Sequence, residues 1–351
     1  MDDKGLTFRA RAPLRLGIAG GGTDLSPYCD IYGGAVLNVT IDRYAYASLG
    51  LTGGHAVMLQ AADLGQNIEL DAGELSFDGD LPLHRAVYNR MMADFNHGHH
   101  LGLKLTTMVD APAGSGLGSS SALVVAMVEV FRAALNLPLG RYDVAHLAYQ
   151  IERQDLGLAG GRQDQYAAAF GGLNYIEFLP DERVIVNPLR LPHHVLNELQ
   201  SSLVICFTGQ SRASDRIIAD QIASAREAHD GALDSMHRLK ALALDMKETI
   251  LRGDLDRIAV LLDQSWGAKK ETSKSVSNPL IERLWQVGRR AGAKAAKVSG
   301  AGGGGFMMFL VDPDRRAPLV QALQAAGGVP DIVSFSAEGV EAWQVGKPVR
   351  S

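Results

Sequence analysis

The sequence predicts a protein of mixed helices and strands arranged in two domains. At 351 residues the chain is longer than one hydrophobic core usually organises. A strand pattern, a glycine-rich loop and a helix pattern follow one another between Leu101 and Leu135. A turn-rich, charged stretch (180–192) then precedes a fresh apolar run at 203–207, which places the division at 1–190 and 191–351.

The first segment reads Arg9-Ala-Arg-Ala-Pro-Leu-Arg15-Leu-Gly-Ile-Ala-Gly-Gly-Gly-Thr-Asp24. A short strand over 14–18 runs into a triple-glycine turn. Such a turn serves either as a hairpin corner or as a loop that admits a sugar close to the backbone, with Asp24 accepting from its hydroxyls. Val, Ile, Tyr and Thr enrich 35–51 as strand; 67–77 holds another short strand and 83–95 a helix. His97, His99 and His100 cluster in a glycine-containing turn with no further ligand group nearby in sequence, a poor basis for a metal site.

Leu101, Leu103, Leu105 and Val109 alternate with polar residues as a half-buried strand does, and Leu123, Ala126, Val130 and Ala134 recur at helical spacing. Between them lies Pro112-Ala-Gly-Ser-Gly-Leu-Gly-Ser-Ser-Ser-Ala122. Glycines let backbone N–H groups approach phosphate oxygens, the helix start favours negative charge, and serine hydroxyls can cap the helix or reach a phosphate-bound cation. No lysine follows the loop, and the spacing is G-x-G-x-G, so neither the P-loop nor the dinucleotide fingerprint fits.

A helix follows over 142–156, with Val144, Leu147, Ala148 and Ile151 as its apolar stripe and Glu152 beside it. Asp164 stands before a small-residue helix, where it could simply cap. A strand spans 173–178. Beyond the boundary come helices over 211–229, 233–251 and 255–266, the polar stretch with Lys269, Lys270 and Lys274, and the segment Ala295 to Gly305 with five glycines between apolar strands. A helix over 315–326 and a strand over 329–335 close the chain.

Composition narrows the function classes. Hydrophobic residues at 46% and charged residues at 21% are ordinary for a globular protein, and a net charge of −5 gives no general attraction to nucleic acid or anionic membrane. Two distant cysteines suggest neither a disulfide scaffold nor a zinc cluster. Without an apolar leader or membrane-length run, a cytoplasmic protein acting on a small molecule is expected, with a homodimer as an option.

Pro112 to Ala122 resembles the second motif of the GHMP kinases; Arg9 to Asp24, with its basic residue after Ala-Pro, resembles the first, and Ala295 to Val311 the third. The resemblance spans nearly the whole chain. It implies an α+β fold: a ribosomal protein S5 domain 2-like amino-terminal domain joined to a ferredoxin-like carboxy-terminal domain. It also implies ATP and Mg²⁺ as cofactors. The phosphate loop would be Pro112, Gly114, Ser115, Gly116, Leu117, Gly118, Ser119, Ser120 and Ser121; Ser120 and Glu152 would hold the metal, and Asp164 would be the base. Several members carry lysine where this chain has Arg15. A guanidinium does not act as a base, so Arg15 would orient a carboxylate or stabilise negative charge. The substrate loop would be Gly21, Gly22, Thr23 and Asp24, with Gly303 from the third motif.

Arg15-Leu-Gly17, Ala19 to Leu25 and Tyr32 to Asn38 resemble the sugar-1-kinase branch of the family. The implied reaction is phosphoryl transfer to the anomeric hydroxyl of D-glycero-D-manno-heptose 7-phosphate, giving a 1,7-bisphosphate that feeds nucleotide-activated heptose synthesis. An unphosphorylated sugar such as fucose is the alternative, and a ligand sensor that lost catalysis is the third. A phosphorylated acceptor needs local cations. Lys269 and Lys270 are favoured, with Arg43, Arg212 and Lys274 as the other candidates.

Overall fold

The computed structural model describes residues 6–209, 217–219 and 230–346. Strands β1 (Thr7–Ala19) and β2 (Gly34–Leu51) pair antiparallel over most of their length, with Arg15 opposite Thr40. Their register shifts between Gly17 and Ala19, where β1 breaks into the triple-glycine turn. β3 (Ala56–Ala61), β4 (Gln66–Asp71) and β5 (Leu103–Val109) extend the sheet on one side, while β6 (Leu173–Phe178) and β7 (Val184–Pro188) continue from the first half of β2. The second sheet is antiparallel, ordered β11 (Val329–Asp331), β8 (Leu203–Phe207), β10 (Phe306–Val311), β9 (Ala293–Val298).

Helices α1 (Tyr28–Tyr32), α2 (Pro82–Phe95), α3 (Ser119–Ala134), α4 (Arg141–Gln150) and α5 (Gln163–Phe170) belong to the first sheet's half of the chain. The spacing of Leu123, Ala126, Val130 and Ala134 suggested a single apolar face for α3. Instead every residue from Val124 to Phe131 is buried, because α3 packs between the sheet and helices α2, α4 and α5. Such a central helix requires a nearly all-apolar run, and the one charge in it, Glu129, is paired with Arg132 at 2.8 Å. Helices α6 (His193–Ser201), α7 (Asp230–Arg252), α8 (Leu255–Thr272), α9 (Pro279–Arg290) and α10 (Arg316–Ala325) follow. Asp254 caps α8 by accepting from Arg257 N–H at 3.0 Å.

Alternation along the second sheet divides the core. Val204, Cys206, Ala296, Val298, Met307 and Phe309 face Ile281, Leu284, Leu319 and Leu323, whereas Ile205, Ala295, Met308 and Leu310 join a core continuous with the first sheet. The two halves are therefore packed as one apolar mass along one side.

Several boundaries differ from the sequence expectation. The expected helix over 142–156 ends as α at Gln150 and continues as a π turn, Ile151–Asp155, where Leu156 N–H reaches Ile151 O at 3.2 Å. The strand expected over 67–77 is β4, and the closing strand over 329–335 stops at Asp331. The expected helix over 211–229 lies outside the described residues apart from 217–219. A strand that the sequence did not announce, β12 (Glu341–Val345), returns to pair antiparallel with Thr7–Arg11 of β1.

Candidate active site

Three glycine-bearing segments meet at the side chain of Ser299. Its Oγ accepts from Gly17 N–H at 3.3 Å and donates to Gly116 O at 3.1 Å, joining the ends of β1 and β9 to the loop before α3. Backbones approach so closely there that side chains are excluded. A Cβ on Gly116 (φ 77°) would stand 2.7 Å from Ser299 O, and one on Gly300 (φ 72°) 2.7 Å from Gly116 O. Phe306 N–H also donates to Ser115 O at 2.8 Å.

Arg15, at the end of β1, lies over this junction. Its Nε and Nη2 both reach Asp164 Oδ1, at 2.8 and 2.6 Å, and Nη1 donates to Gly116 O at 2.6 Å. The guanidinium side chain is 5% exposed and the carboxylate 22%, so the pair sits at a boundary between core and open cleft. Among the described residues Asp164 Oδ2 accepts no hydrogen bond; it packs beside Gly118, whose lack of a Cβ makes room.

Two adjoining cavities share this pair. One, of about 280 Å³, is lined by Gly114, Gly116, Gly118, Ser119, Ser120 and Ser121 together with Glu152, Arg153 and the stretch Leu158-Ala159. Gly118, in the left-handed region at φ 73°, caps α3 without a side chain, so the first N–H groups of a long helix open into that cavity. The second, about 60 Å³, is lined by Gly22, Asp24, Leu25, Gly161, Gln163 and Lys269. Arg15, Asp164, Ile218, Gly300 and Ala301 border both.

Ser120 Oγ donates to Glu152 Oε1 at 3.2 Å, and Gln165 Nε2 to Glu152 Oε2 at 2.6 Å; Glu152 is 1% exposed. A hydroxyl and a carboxylate are hard oxygen donors. A small divalent cation that keeps waters and phosphate oxygens needs no more from the protein. No group of three His, Cys, Asp or Glu side chains suited to a metal occurs among the described residues.

Other expected residues take different places. Of the phosphate-loop set, Leu117 is buried in the core while its carbonyl accepts from Arg15 N–H at 3.0 Å; Ser115 is buried, and Pro112 O closes a turn with Ser115 N–H at 3.1 Å. Thr23 Oγ1 shares its one proton between Gly20 O and Ala35 O, at 2.8 and 2.9 Å, and accepts from Ala35 N–H, so it braces the turn from within. Asp24 accepts from Gly22 N–H, Gln163 N–H and Gln163 Nε2, each at 3.1 Å, which ties the triple-glycine turn to the start of α5. Gly21 lies against Lys269 Nζ, which donates to Gly21 O at 3.3 Å and Gly300 O at 2.7 Å. Gly303 points elsewhere: its carbonyl accepts from Asn278 Nδ2, and it packs against Ile217 and Ser275.

The two lysines favoured as phosphate readers part company. Lys269 is 4% exposed and borders the small cavity, whereas Lys270 is exposed and pairs with Glu282 at 3.3 Å on the outer side of α8. Lys274 is also exposed. Arg43 is engaged with Asp331 at 2.6 Å, and Arg212 lies outside the described residues. Burial pushes the Lys269 ammonium down to about 8; Asp24 and Asp164 oppose the shift and Arg15 adds to it.

The sequence reading missed three residues. Arg153 shares the larger cavity. Lys297, wholly buried in β9, donates to Gly17 O and Ile18 O, both at 3.0 Å; burial holds its pKa well below the usual lysine range, and Lys269 and Arg15 push the same way. A lone charge inside the apolar run Ala295-Ala296-Lys297-Val298 was the available signal. Ser299 had none beyond its neighbouring glycines.

Comparison with known proteins gives two family matches: the GHMP kinases N terminal domain over residues 82–172 and the GHMP kinases C terminal domain over 246–329. The chain is 43% identical to the D-glycero-alpha-D-manno-heptose 7-phosphate kinase of Campylobacter jejuni, over 97% of this chain and 99% of that one. It is 26% identical to the bifunctional fucokinase/GDP-fucose pyrophosphorylase of Arabidopsis thaliana, over 90% of this chain but 31% of that protein. The crystal structure of a D-glycero-D-manno-heptose 1-phosphate kinase from Bacteroides thetaiotaomicron superposes with a TM-score of 0.83 at 41% identity, covering 97% of this chain and 100% of the other.

Proposed function

This chain belongs to the GHMP kinase family of ATP-dependent kinases, and from that premise we propose that it phosphorylates the anomeric hydroxyl of D-glycero-D-manno-heptose 7-phosphate. One observation carries the reading: Asp164 and Arg15 stand where a phosphate-suited cavity meets a small polar one. The larger cavity takes the triphosphate, along the glycine backbone and the first N–H groups of α3. The smaller takes the end of the sugar that reacts.

The division of labour follows from the contacts. Asp164 Oδ1 is occupied by Arg15, which fixes the carboxylate; Oδ2 is left to accept the proton of the attacking hydroxyl. Arg15 also stabilises charge on the phosphoryl group as it passes between the cavities. Ser120 and Glu152 would hold Mg²⁺, which when bound neutralises phosphate charge. Lys269 adds a second cation beside Arg15 in the smaller cavity, which suits a substrate bearing its own phosphate. The reading retains the division at 190/191, with β12 returned to the first sheet.

A phosphoryl-transfer screen against fucose, galactose, and the heptose with and without its 7-phosphate tests the proposal. The phosphorylated heptose should be preferred by at least about tenfold in kcat/KM, the worth of one charge-assisted contact. Equal use of fucose would replace it with a fucokinase-like reading.

A further inference from the structure

We propose that Arg153 is a further catalytic residue, whose guanidinium contacts the γ-phosphoryl group of the nucleotide during transfer; this rests on the kinase reading above. Glu152 and Arg153 are adjacent in sequence, and in a regular α-helix their side chains would diverge by about 100°. The π turn over Ile151–Asp155 alters that geometry, and both residues border the cavity with the phosphate loop. Single π turns inside helices commonly mark functional positions.

Arg153 is held, but loosely. Its Nε reaches Gly161 O at 3.4 Å, Nη1 reaches Leu158 O at 3.5 Å, and Nη1 stands 3.8 Å from Glu152 Oε1. All three are long for a guanidinium, whose charge-assisted bonds usually lie near 2.7–2.9 Å. Nη2 donates to nothing among the described residues. The side chain is nevertheless only 14% exposed, because the loop Gly157 to Gly161 wraps it. Gly160 admits the guanidinium face by having no Cβ; a side chain there would overlap Arg153 Cζ and Nη2. A cation confined at the wall of a phosphate-suited cavity, with unused donors, is prepared for an anion. Arg15 borders the same cavity, so the two guanidinium groups would share the transferring group's equatorial oxygens.

The test uses Arg153→Ala and Arg153→Lys in the full chain. Binding of ADP and of a non-hydrolysable ATP analogue, both with Mg²⁺ and without any sugar, is measured by calorimetry. For Arg153→Ala the analogue should weaken about 10- to 100-fold while ADP changes less than about threefold, since only the γ-phosphate contact is lost. Its kcat should fall about 10²–10³-fold with acceptor KM retained. Arg153→Lys keeps the charge without the planar fork and should recover analogue binding better than turnover.

Equal weakening of ADP and analogue would overturn the proposal, leaving Arg153 as a prop for the glycine loop. So would a KM increase confined to the phosphorylated sugar, which would assign the guanidinium to the acceptor. If Arg153→Ala fails to fold, Arg153→Gln, which removes the charge but keeps a polar side chain of similar reach, should show the same selective loss of analogue over ADP affinity. Because the binding arm contains no sugar, it is decided separately from the identity of the acceptor.

Discussion

Arg15 and Asp164 are 149 residues apart in sequence, yet two guanidinium nitrogens converge on one carboxylate oxygen at 2.8 and 2.6 Å. The second oxygen is thereby aimed and left available. An asparagine would keep the shape but could not take a proton. We expect Asp164→Asn to retain nucleotide affinity while kcat falls about 10²–10⁴-fold, measured by steady-state kinetics beside ATP-analogue binding. Turnover within a few-fold of wild type would leave Asp164 as a brace for Arg15 alone.

Ser120→Ala and Glu152→Gln should each raise the Mg²⁺ concentration needed for half-maximal activity, by at least roughly tenfold. Glu152→Gln retains a partner for Gln165, so its melting temperature should change little. Titration of activity against free Mg²⁺ decides this, and an unchanged curve removes that residue from the metal site.

Lys269 supplies a pH signature. Its ammonium titrates near 8 in the folded protein instead of the ordinary 10.5, chiefly through burial. Between those values the unfolded chain binds more protons than the folded one, so stability rises with pH across the window. Relative to Lys269→Met, wild-type unfolding free energy should therefore increase on the order of 3 kcal/mol from pH 8 to 10.5. Acceptor affinity should move oppositely, KM rising above about pH 8 in the wild type as the charge is lost and staying flat in the variant. Denaturant melts and acceptor saturation curves at stepped pH report the two effects.

Lys270→Ala, by contrast, should leave acceptor KM within about twofold, because an exposed pair with Glu282 contributes at most about 1 kcal/mol and lies outside both cavities. A selective rise for the phosphorylated sugar would contradict that placement.

Gly116→Ala probes the junction of the loops. It forces an L-residue into φ 77° and puts a methyl group against Ser299 O. The backbone term alone costs about 1–2 kcal/mol. Denaturation midpoint and nucleotide affinity should fall together.

Much of this was legible from residues alone. The strand, glycine loop and helix around Pro112 to Ala134 follow from period and composition, and the roles expected of Asp164, Ser120 and Glu152 fell on residues that do border one cavity. What sequence could not resolve was direction. Lys269 and Lys270 are neighbours on α8, and a helix turns successive side chains about 100° apart, so one enters the interior while the other meets water. Nothing local says which. Thr23 reads as a sugar-loop hydroxyl until the return of Ala35 beside it occupies both its donor and acceptor capacity. Arg153 was hidden because its position depends on a π turn and on a loop folding back over it.

The pairing of β12 with β1 sets an order of events during synthesis. Residues 341–345 leave the ribosome after the strand they pair with, so one edge of the first sheet, at Thr7–Arg11, stays unpaired until they have been made. An open edge of that kind invites pairing with other chains. The helices and sheet translated in between must collapse without pulling that edge away, and shortening the chain before Glu341 would leave it bare for good. Such a truncation should retain both cavities in outline yet precipitate on expression, a fate set at an edge whose nearer end, Arg11, is four residues along β1 from Arg15, about 13 Å of extended strand.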